Sequence, residues 1–280
     1  MKQLCFFVGL ATSTFYYHRN KPVVVDRFIE VRPVLRQVFD NSYKAYGYRR
    51  IQVVLKQKHG FCLSGKTVLK LMKQENRVCQ IRRRKYVSYR GPVGLAAANV
   101  LDRDFRTSEP NQKWATDVTE FKVLGQKQYF SPVIDLFNGE VITYTIKSSP
   151  DLGLVSGMLS QAIKTLPGGQ KPILHSDQGW HYRHLSYQEG LRKAGLQQSM
   201  SRKGNCLDNA VAENFFGHFK EEFLRQQKFT SIDQFRTELD SYIQWFNNDR
   251  IRLKLKGLSP VEYRTQSLAR ISHDSQIELQ

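Results

Sequence analysis

From about residue 111 onward the chain changes its rhythm, and that change leaves few folds open. Three successive stretches, 114–124, 128–136 and 140–147, alternate apolar with polar side chains and are rich in β-branched and aromatic residues, the period-2 signature of strands. Leu124-Gly125-Gln126 joins the first pair and Asn138-Gly139 the second; Asn-Gly suits a tight turn that needs positive φ. Strands joined so closely pair as an antiparallel meander. The pattern then alternates: a helix over 152–165, a short apolar strand over 172–175, a helix over 185–193, a strand over 196–200 and a long helix from about Asp208. Strands separated by helices tend to run parallel, with the helices packed on the sheet. Residues 111–265 are therefore expected to form an α/β domain, one mixed sheet covered by helices, with a helical tail.

The first 110 residues are built differently. They carry 22 Lys and Arg against 7 Asp and Glu, whereas residues 111–280 carry 21 against 18. Most of the +18 formal charge thus sits in the first part, which points to a polyanionic partner, nucleic acid above all. Helical periodicity over 24–39 places Val24, Phe28, Val31, Leu35 and Val38 on one side. Tyr46-Gly47-Tyr48 makes a turn, and Arg49-Arg50-Ile51 opens a second helix that runs to about Lys58 and breaks at His59-Gly60. Ser64 is a natural cap for a third, with Val68, Leu69 and Met72 as its apolar positions. Three short basic helices joined by turns predict an all-α helix-turn-helix DNA-binding domain. The run Arg82-Arg83-Arg84-Lys85 follows it, placed to lie against phosphates.

Residues 60–67 match the phosphate-cradling pattern G-x-x-x-x-G-K-[ST]. That chemistry needs a strand before the first glycine, and Ile51, Val54, Leu55 and Lys58 are spaced as a helix. An inter-helix turn is expected there instead. In residues 1–20, Gly9-Leu10 turns the chain and Ser13 caps a short helix bearing Phe15, Tyr16 and Tyr17, like the back half of a helix-turn-helix. The expected divisions are 1–20, a basic unit over 21–90, a Gly-, Pro- and Ala-rich linker over 91–110, the α/β core with its tail over 111–265, and a terminal segment over 266–280. Four scattered cysteines form no C-x-x-C pair, so neither a disulfide framework nor a zinc site is expected. His181 and His184 are expected at the surface. No stretch approaches the ~20 apolar residues of a membrane span.

Three acids stand out in the core. Asp117 falls within the first strand, where a carboxylate is costly unless a cation compensates it. Asp177 lies in His175-Ser176-Asp177-Gln178-Gly179, just where a strand ends, the place where ligands collect in such sheets. Glu213 lies on the long helix, with 35 residues between it and Asp177. Converging, the three would make an all-oxygen site for hard divalent cations: magnesium, two ions, with manganese as a substitute. Each also has a plain structural role open to it: an ion pair with lysine, a turn former, a solvated helix residue. Glu213, Gly217 and Lys220 share one helix stripe. Lys220 is placed to hold a phosphate; Gly217 admits either DNA or a tightly packed neighbouring helix. Asp208 is expected as a helix cap and Asp135 as a structural acid. Arg202 and Lys203, in Ser201-Arg202-Lys203-Gly204-Asn205, form a basic loop beside the same groove.

The element order βββ-α-β-α-β-α is that of a ribonuclease-H-like fold. Trp114-x-Thr116-Asp117-x-Thr119, His175 to Gly179, Ser201 to Asn205 and Asp208-Asn209-Ala210-x-x-Glu213-x-Phe215-Phe216 resemble the motifs of bacterial insertion-sequence transposases of the retroviral-integrase type. The similar subgroup is the one whose catalytic protein comes from the second of two overlapping frames. Tyr46-Gly47-Tyr48-Arg49-Arg50 fits it too, as do Phe246-Asn247, Arg250, Leu255 and Leu258-Ser259-Pro260. The resemblance implies that Asp117, Asp177 and Glu213 bind the metals and catalyse cleavage at the ends of a mobile element, followed by attack of the freed 3′-hydroxyl on another phosphodiester. It implies double-stranded DNA as partner (terminal inverted repeats and target), the product of the upstream frame as a second partner, a homo-oligomer on DNA, and a place in the bacterial cytoplasm at the nucleoid. A hydrolytic nuclease or resolvase on the same fold, and a DNA-binding regulator with an inactive core, are the alternatives.

Overall fold

The computed structural model describes residues 2–20, 26–79, 97–102, 104–202 and 209–277, the last seven of these by backbone alone. Residues 2–20 form a hairpin of two short helices, α1 (Lys2–Phe7) and α2 (Thr12–Asn20), turning at Gly9 with φ +63°. The Phe15 N–H donates to the Ala11 carbonyl, so Ser13 lies inside the first turn of α2 rather than capping it.

Helices α3 (Val31–Asn41), α4 (Tyr48–His59) and α5 (Gly65–Gln74) bury Leu35, Phe39, Ile51, Leu55, Val68 and Met72 against one another. α3 starts at Val31, later than the periodicity predicted, and Val24 lies outside the described residues. The Asp26 carboxylate takes the Phe28 N–H at 3.0 Å and pairs with Arg32, holding residues 26–30 in turns. Pro33 falls in the first helical turn, where its missing N–H costs nothing. Gly60 closes α4 in the left-handed region, φ +74°, and the Ser64 hydroxyl accepts the Thr67 N–H at 3.1 Å to start α5. Residues 60–67 are thus a helix-to-helix turn.

One six-stranded sheet forms the core: β1 (Lys113–Thr116), β2 (Thr119–Val123), β3 (Gln126–Asp135), β4 (Val141–Lys147), β5 (Ile173–Ser176) and β6 (Gln197–Met200). β3 is its spine, with β1 and β2 in line along one side and β4 on the other, all antiparallel to it. β5 runs parallel to β1, and β6 parallel to β5. The single strand predicted over 114–124 is therefore two, broken at Asp117-Val118. The register runs from Thr116 opposite Val133 to Thr119 opposite Phe130, so the break faces Ser131 and Pro132. Proline offers no N–H to a ladder, and the Val118 N–H is taken at 2.7 Å by the carboxylate of Asp117. Leu124 and Gly125, both at positive φ (50° and 79°), make the tight turn into β3.

Helices α6 (Leu152–Thr165), α7 (Trp180–Arg183) and α8 (Leu185–Lys193) cover one face over Trp114, Val133 and Leu174. On the other face lie α9 (Ala210–His218), a π-helical continuation over Phe219–Leu224, and α10 (Ile232–Asn248), packed over Phe130 and Ile134 through Phe215, Phe219, Phe223 and Tyr242. α11 (Pro260–Ile277) follows. The Asn247 amide bridges the Val141 N–H and carbonyl, both at 2.9 Å, tying α10 to the start of β4. The second half of the expected linker is part of the core: the Met200 N–H donates to the Ala98 carbonyl, and the Val100 and Leu101 N–H groups reach the Ser199 hydroxyl. This segment covers the β6 edge, which would otherwise present unpaired backbone groups. The basic helices are docked on the core as well. Ile251 is buried in their cluster, its N–H donates to the Tyr46 hydroxyl at 2.9 Å, and Tyr43 packs on Trp245 with ring centroids 4.7 Å apart. No helix among the described residues is long and apolar enough to cross a membrane.

Candidate active site

Asp117 lies just past the last residue of β1, not within a strand as expected, and Asp177 just past that of β5. These strands are parallel neighbours, so the two carboxylates emerge at the same end of the sheet. α9 brings Glu213 to them: its aromatic side (Phe215, Phe216, Phe219) is sunk in the core, and Glu213 and Lys220 remain partly exposed on another face. Burial, and then the charge of Asp177, holds the Asp117 carboxyl well above the usual carboxylate range; Glu213 adds to this, while the Val118 N–H and Lys220 oppose it. Burial raises Asp177 too, against the Gly179 N–H, His181 and Arg183. The Gly179 N–H donates to Asp177 Oδ1 at 2.9 Å, and a Cβ on Gly179 would stand 2.9 Å from that same oxygen. Lys220 is lowered by burial and supported by Asp117.

The three acids thus share one electrostatic neighbourhood. The shared cage expected from sequence is not closed, for among the described residues no three His, Cys, Asp or Glu side chains are gathered around a common point.

Other side chains brace the strand ends. The His175 ring lies 2.8 Å from the Ser199 hydroxyl and 3.1 Å from that of Ser201, and the Gln178 amide donates to the Ser201 carbonyl at 2.9 Å, locking the end of β5 to β6 beside Asp177. His181 is buried, contrary to expectation, because its Nε2–H donates to the Pro150 carbonyl at 2.9 Å; His184 is exposed. Asp135 is structural, as expected: its oxygens take the Asn111 and Phe137 N–H groups, and burial pushes its carboxyl up to about 6.

Sequence reasoning missed a buried clasp behind α9. Arg250 grips Glu222 with Nε at 2.7 Å and with Nη2. His218 lies 3.1 Å from the same carboxylate, and the Tyr242 hydroxyl donates to it at 3.4 Å. Burial alone would raise Glu222, but Arg250 and His218 hold it down at about 2. In sequence Arg250 stands out only as part of a tail motif; a charged pair among so many aromatic residues is the available signal.

The predicted DNA contacts fall in different places. Arg202 is exposed and paired with Asp102 at 3.3 Å. Arg49 is exposed beside Tyr48. Arg50 is instead half-buried over the Tyr46 ring and near Arg250 and Glu222, because the docked tail covers it. Lys203, Arg82, Arg83, Arg84, Lys85 and the expected cap Asp208 lie outside the described residues.

Three family models match the chain: an HTH-like domain over residues 27–85 and integrase core domains over 107–206 and 213–268. The putative transposase InsK for insertion sequence element IS150, from Escherichia coli K12, is 47% identical over 91% of this chain and 90% of its own length. The chain belongs to the insertion-sequence transposases. The transposase InsF for insertion sequence IS3A, from the same organism, is 30% identical to it over 96% of this chain and 95% of its own. Among solved structures, the HTLV-2 integrase catalytic core domain in complex with magnesium is 19% identical, with a TM-score of 0.47, and is matched over 57% of this chain and 99% of that one. The transposase is a polynucleotidyl transferase, and its integrase core is the ribonuclease-H-like sheet with the helices around it. Asp117 and Asp177 lie in the first core match and Glu213 opens the second.

Proposed function

We propose that Asp117, Asp177 and Glu213 are the catalytic acids of this transposase and bind two magnesium ions, for which manganese substitutes. One observation carries the assignment: Asp117 and Asp177 follow neighbouring parallel strands and emerge at one end of the sheet, where Asp177, Glu213 and Lys220 all bear on the Asp117 carboxyl. The donor set fits a hard divalent cation, being carboxylate oxygens in a desolvated place. A divalent charge there also offsets the repulsion that burial makes costly. Bound, such ions supply activation of the attacking oxygen and stabilisation of the leaving oxygen in an in-line displacement at phosphorus.

The chain's own groups do the positioning. Val118 N–H and Gly179 N–H fix the orientations of Asp117 and Asp177, and Lys220 holds a phosphate oxygen of the strand being cut. In strand transfer the element's 3′-hydroxyl loses its proton and its oxygen forms a bond to the target phosphorus. The target's 3′ oxygen leaves with the electron pair of the broken bond. The test is a labelled duplex carrying the element's terminal inverted repeat, incubated with a second duplex. Joined product is expected with Mg²⁺ or Mn²⁺ and none with EDTA. Cutting that never yields joined product would favour a hydrolytic nuclease.

Arg202 and Lys203 would extend the groove, Arg202 exchanging Asp102 for phosphate, while Arg49, Arg50 and Arg82 to Lys85 would serve the basic unit. Neutralising Arg82, Arg83, Arg84 and Lys85 together should weaken binding to all duplexes alike. It should also reduce the slope of log affinity against log salt by up to about 4, since each phosphate contact contributes ~0.9 on duplex DNA. An unchanged slope removes this run from the interface. The remaining partners proposed are the upstream-frame product, separate or fused, and further copies of this chain on DNA in the cytoplasm at the nucleoid.

A further inference from the structure

We propose that Gly217 is an aperture: its missing side chain sets how closely the DNA backbone approaches the acids. The inference rests on the site proposed above and adds to it the residue that fixes the helix-to-DNA distance. Gly217 lies inside α9, where glycine costs stability relative to alanine. Two reasons within a protein justify such a cost, and neither applies. Its backbone is not in the left-handed region. Nor does it admit a packed neighbour, because beyond its chain neighbours and its own helix backbone no heavy atom of the described residues lies within 4 Å of where its Cβ would stand. Other helical glycines differ: a Cβ on Gly190 would touch Leu159 at 3.4 Å, and one on Gly157 would meet Thr145 at 3.8 Å. Tight helix packing, one of the two roles open to Gly217 from sequence, is therefore ruled out for the described residues.

What lies around Gly217 indicates what comes there. Glu213 is one turn before it on α9 and Lys220 three residues after it, in the first turn of the π-helical continuation, and both bear on Asp117. Behind it Phe215, Phe216 and Phe219 are buried, so α9 cannot retreat to make room. A phosphate held between Lys220 and the acids must bring its chain across residue 217, and any side chain there would lift it off. Displacement of a reacting group by about 1 Å can cost on the order of a hundredfold in rate.

The test uses full-length Gly217→Ala and Gly217→Gln, both better helix formers than glycine and neutral. Gly217→Ala should melt about 1–3 °C higher than wild type. At saturating DNA and with duplex affinity retained, joining should fall roughly threefold for Ala and tenfold or more for Gln. Wild-type joining by Gly217→Gln, or a lower melting temperature for Gly217→Ala, would overturn the inference, the latter by giving the glycine a role in folding. Glu213→Gln in the same assay separates this from the site assignment. If it is inactive while Gly217→Gln joins normally, only the aperture fails; if it joins normally, the assignment fails and the aperture with it.

Discussion

Asp117→Asn should reduce DNA cleavage and joining by a thousandfold or more, on the order of 4 kcal/mol of transition-state stabilisation, at no cost to the fold. Loss of activity alone is weak support for a catalytic role, since any damaged core gives it. Here activity and stability should move apart. Asp117 shares a desolvated place with Asp177, each raising the cost of the other's charge. Asparagine removes one of those charges and keeps an oxygen able to accept the Val118 N–H, now bound at 2.7 Å. In metal-free buffer the variant should therefore melt at or above the wild-type temperature and bind duplex DNA as before. Joining at the wild-type rate in Mg²⁺ would end the metal assignment. Inactivity with a melting point several degrees lower would mean that Asp117 serves the fold instead.

Arg250→Ala should be the most destabilising single change described. It strands the Glu222 carboxylate, which is 1% exposed, without its main partner, and breaking a buried pair in this way costs about 3–5 kcal/mol, or ~6–20 °C in melting temperature. Replacing both partners with apolar residues of similar size, Glu222→Leu with Arg250→Met, should cost much less, because no charge is left buried. The pair also carries a pH signature. Glu222 is held at about 2 against an ordinary 4.5, so the folded state binds its proton more weakly than the unfolded chain does. Its contribution is complete above pH 4.5 and is lost as pH falls toward 2. Thermal melts between pH 5 and 2.5 should show that loss in the wild type and a flatter profile in the double variant. Equal slopes would mean that the pair does not govern acid stability.

How far these features are legible in sequence depends on whether their cause is local. The alternation of strands and helices after β4, the Leu124-Gly125 turn and the Ser64 cap follow from neighbouring residues and are where sequence places them. The break at Asp117-Val118 is not local, since it depends on Pro132 lying opposite, which only the register of β3 against β1 and β2 decides. Arg50 looked like a free cation from its basic surroundings, yet a tail some 200 residues away covers it. The Glu222–Arg250 clasp has the same character: nothing near either residue names the other. Of the proposed site, the acids and Lys220 could be picked out by motif and spacing. The bracing of His175 between Ser199 and Ser201 could not, because it needs β5 and β6 side by side.

The Tyr46–Ile251 contact carries a consequence for how this machine measures. Arg250, which grips the helical segment behind Glu213, is the immediate neighbour of Ile251, whose N–H the Tyr46 hydroxyl accepts. The basic three-helix unit and the acid-bearing helix are therefore fastened to one strut. If the first grips duplex while the second is presented with a scissile bond, the span separating grip and cut is a built-in ruler, graduated by folded protein.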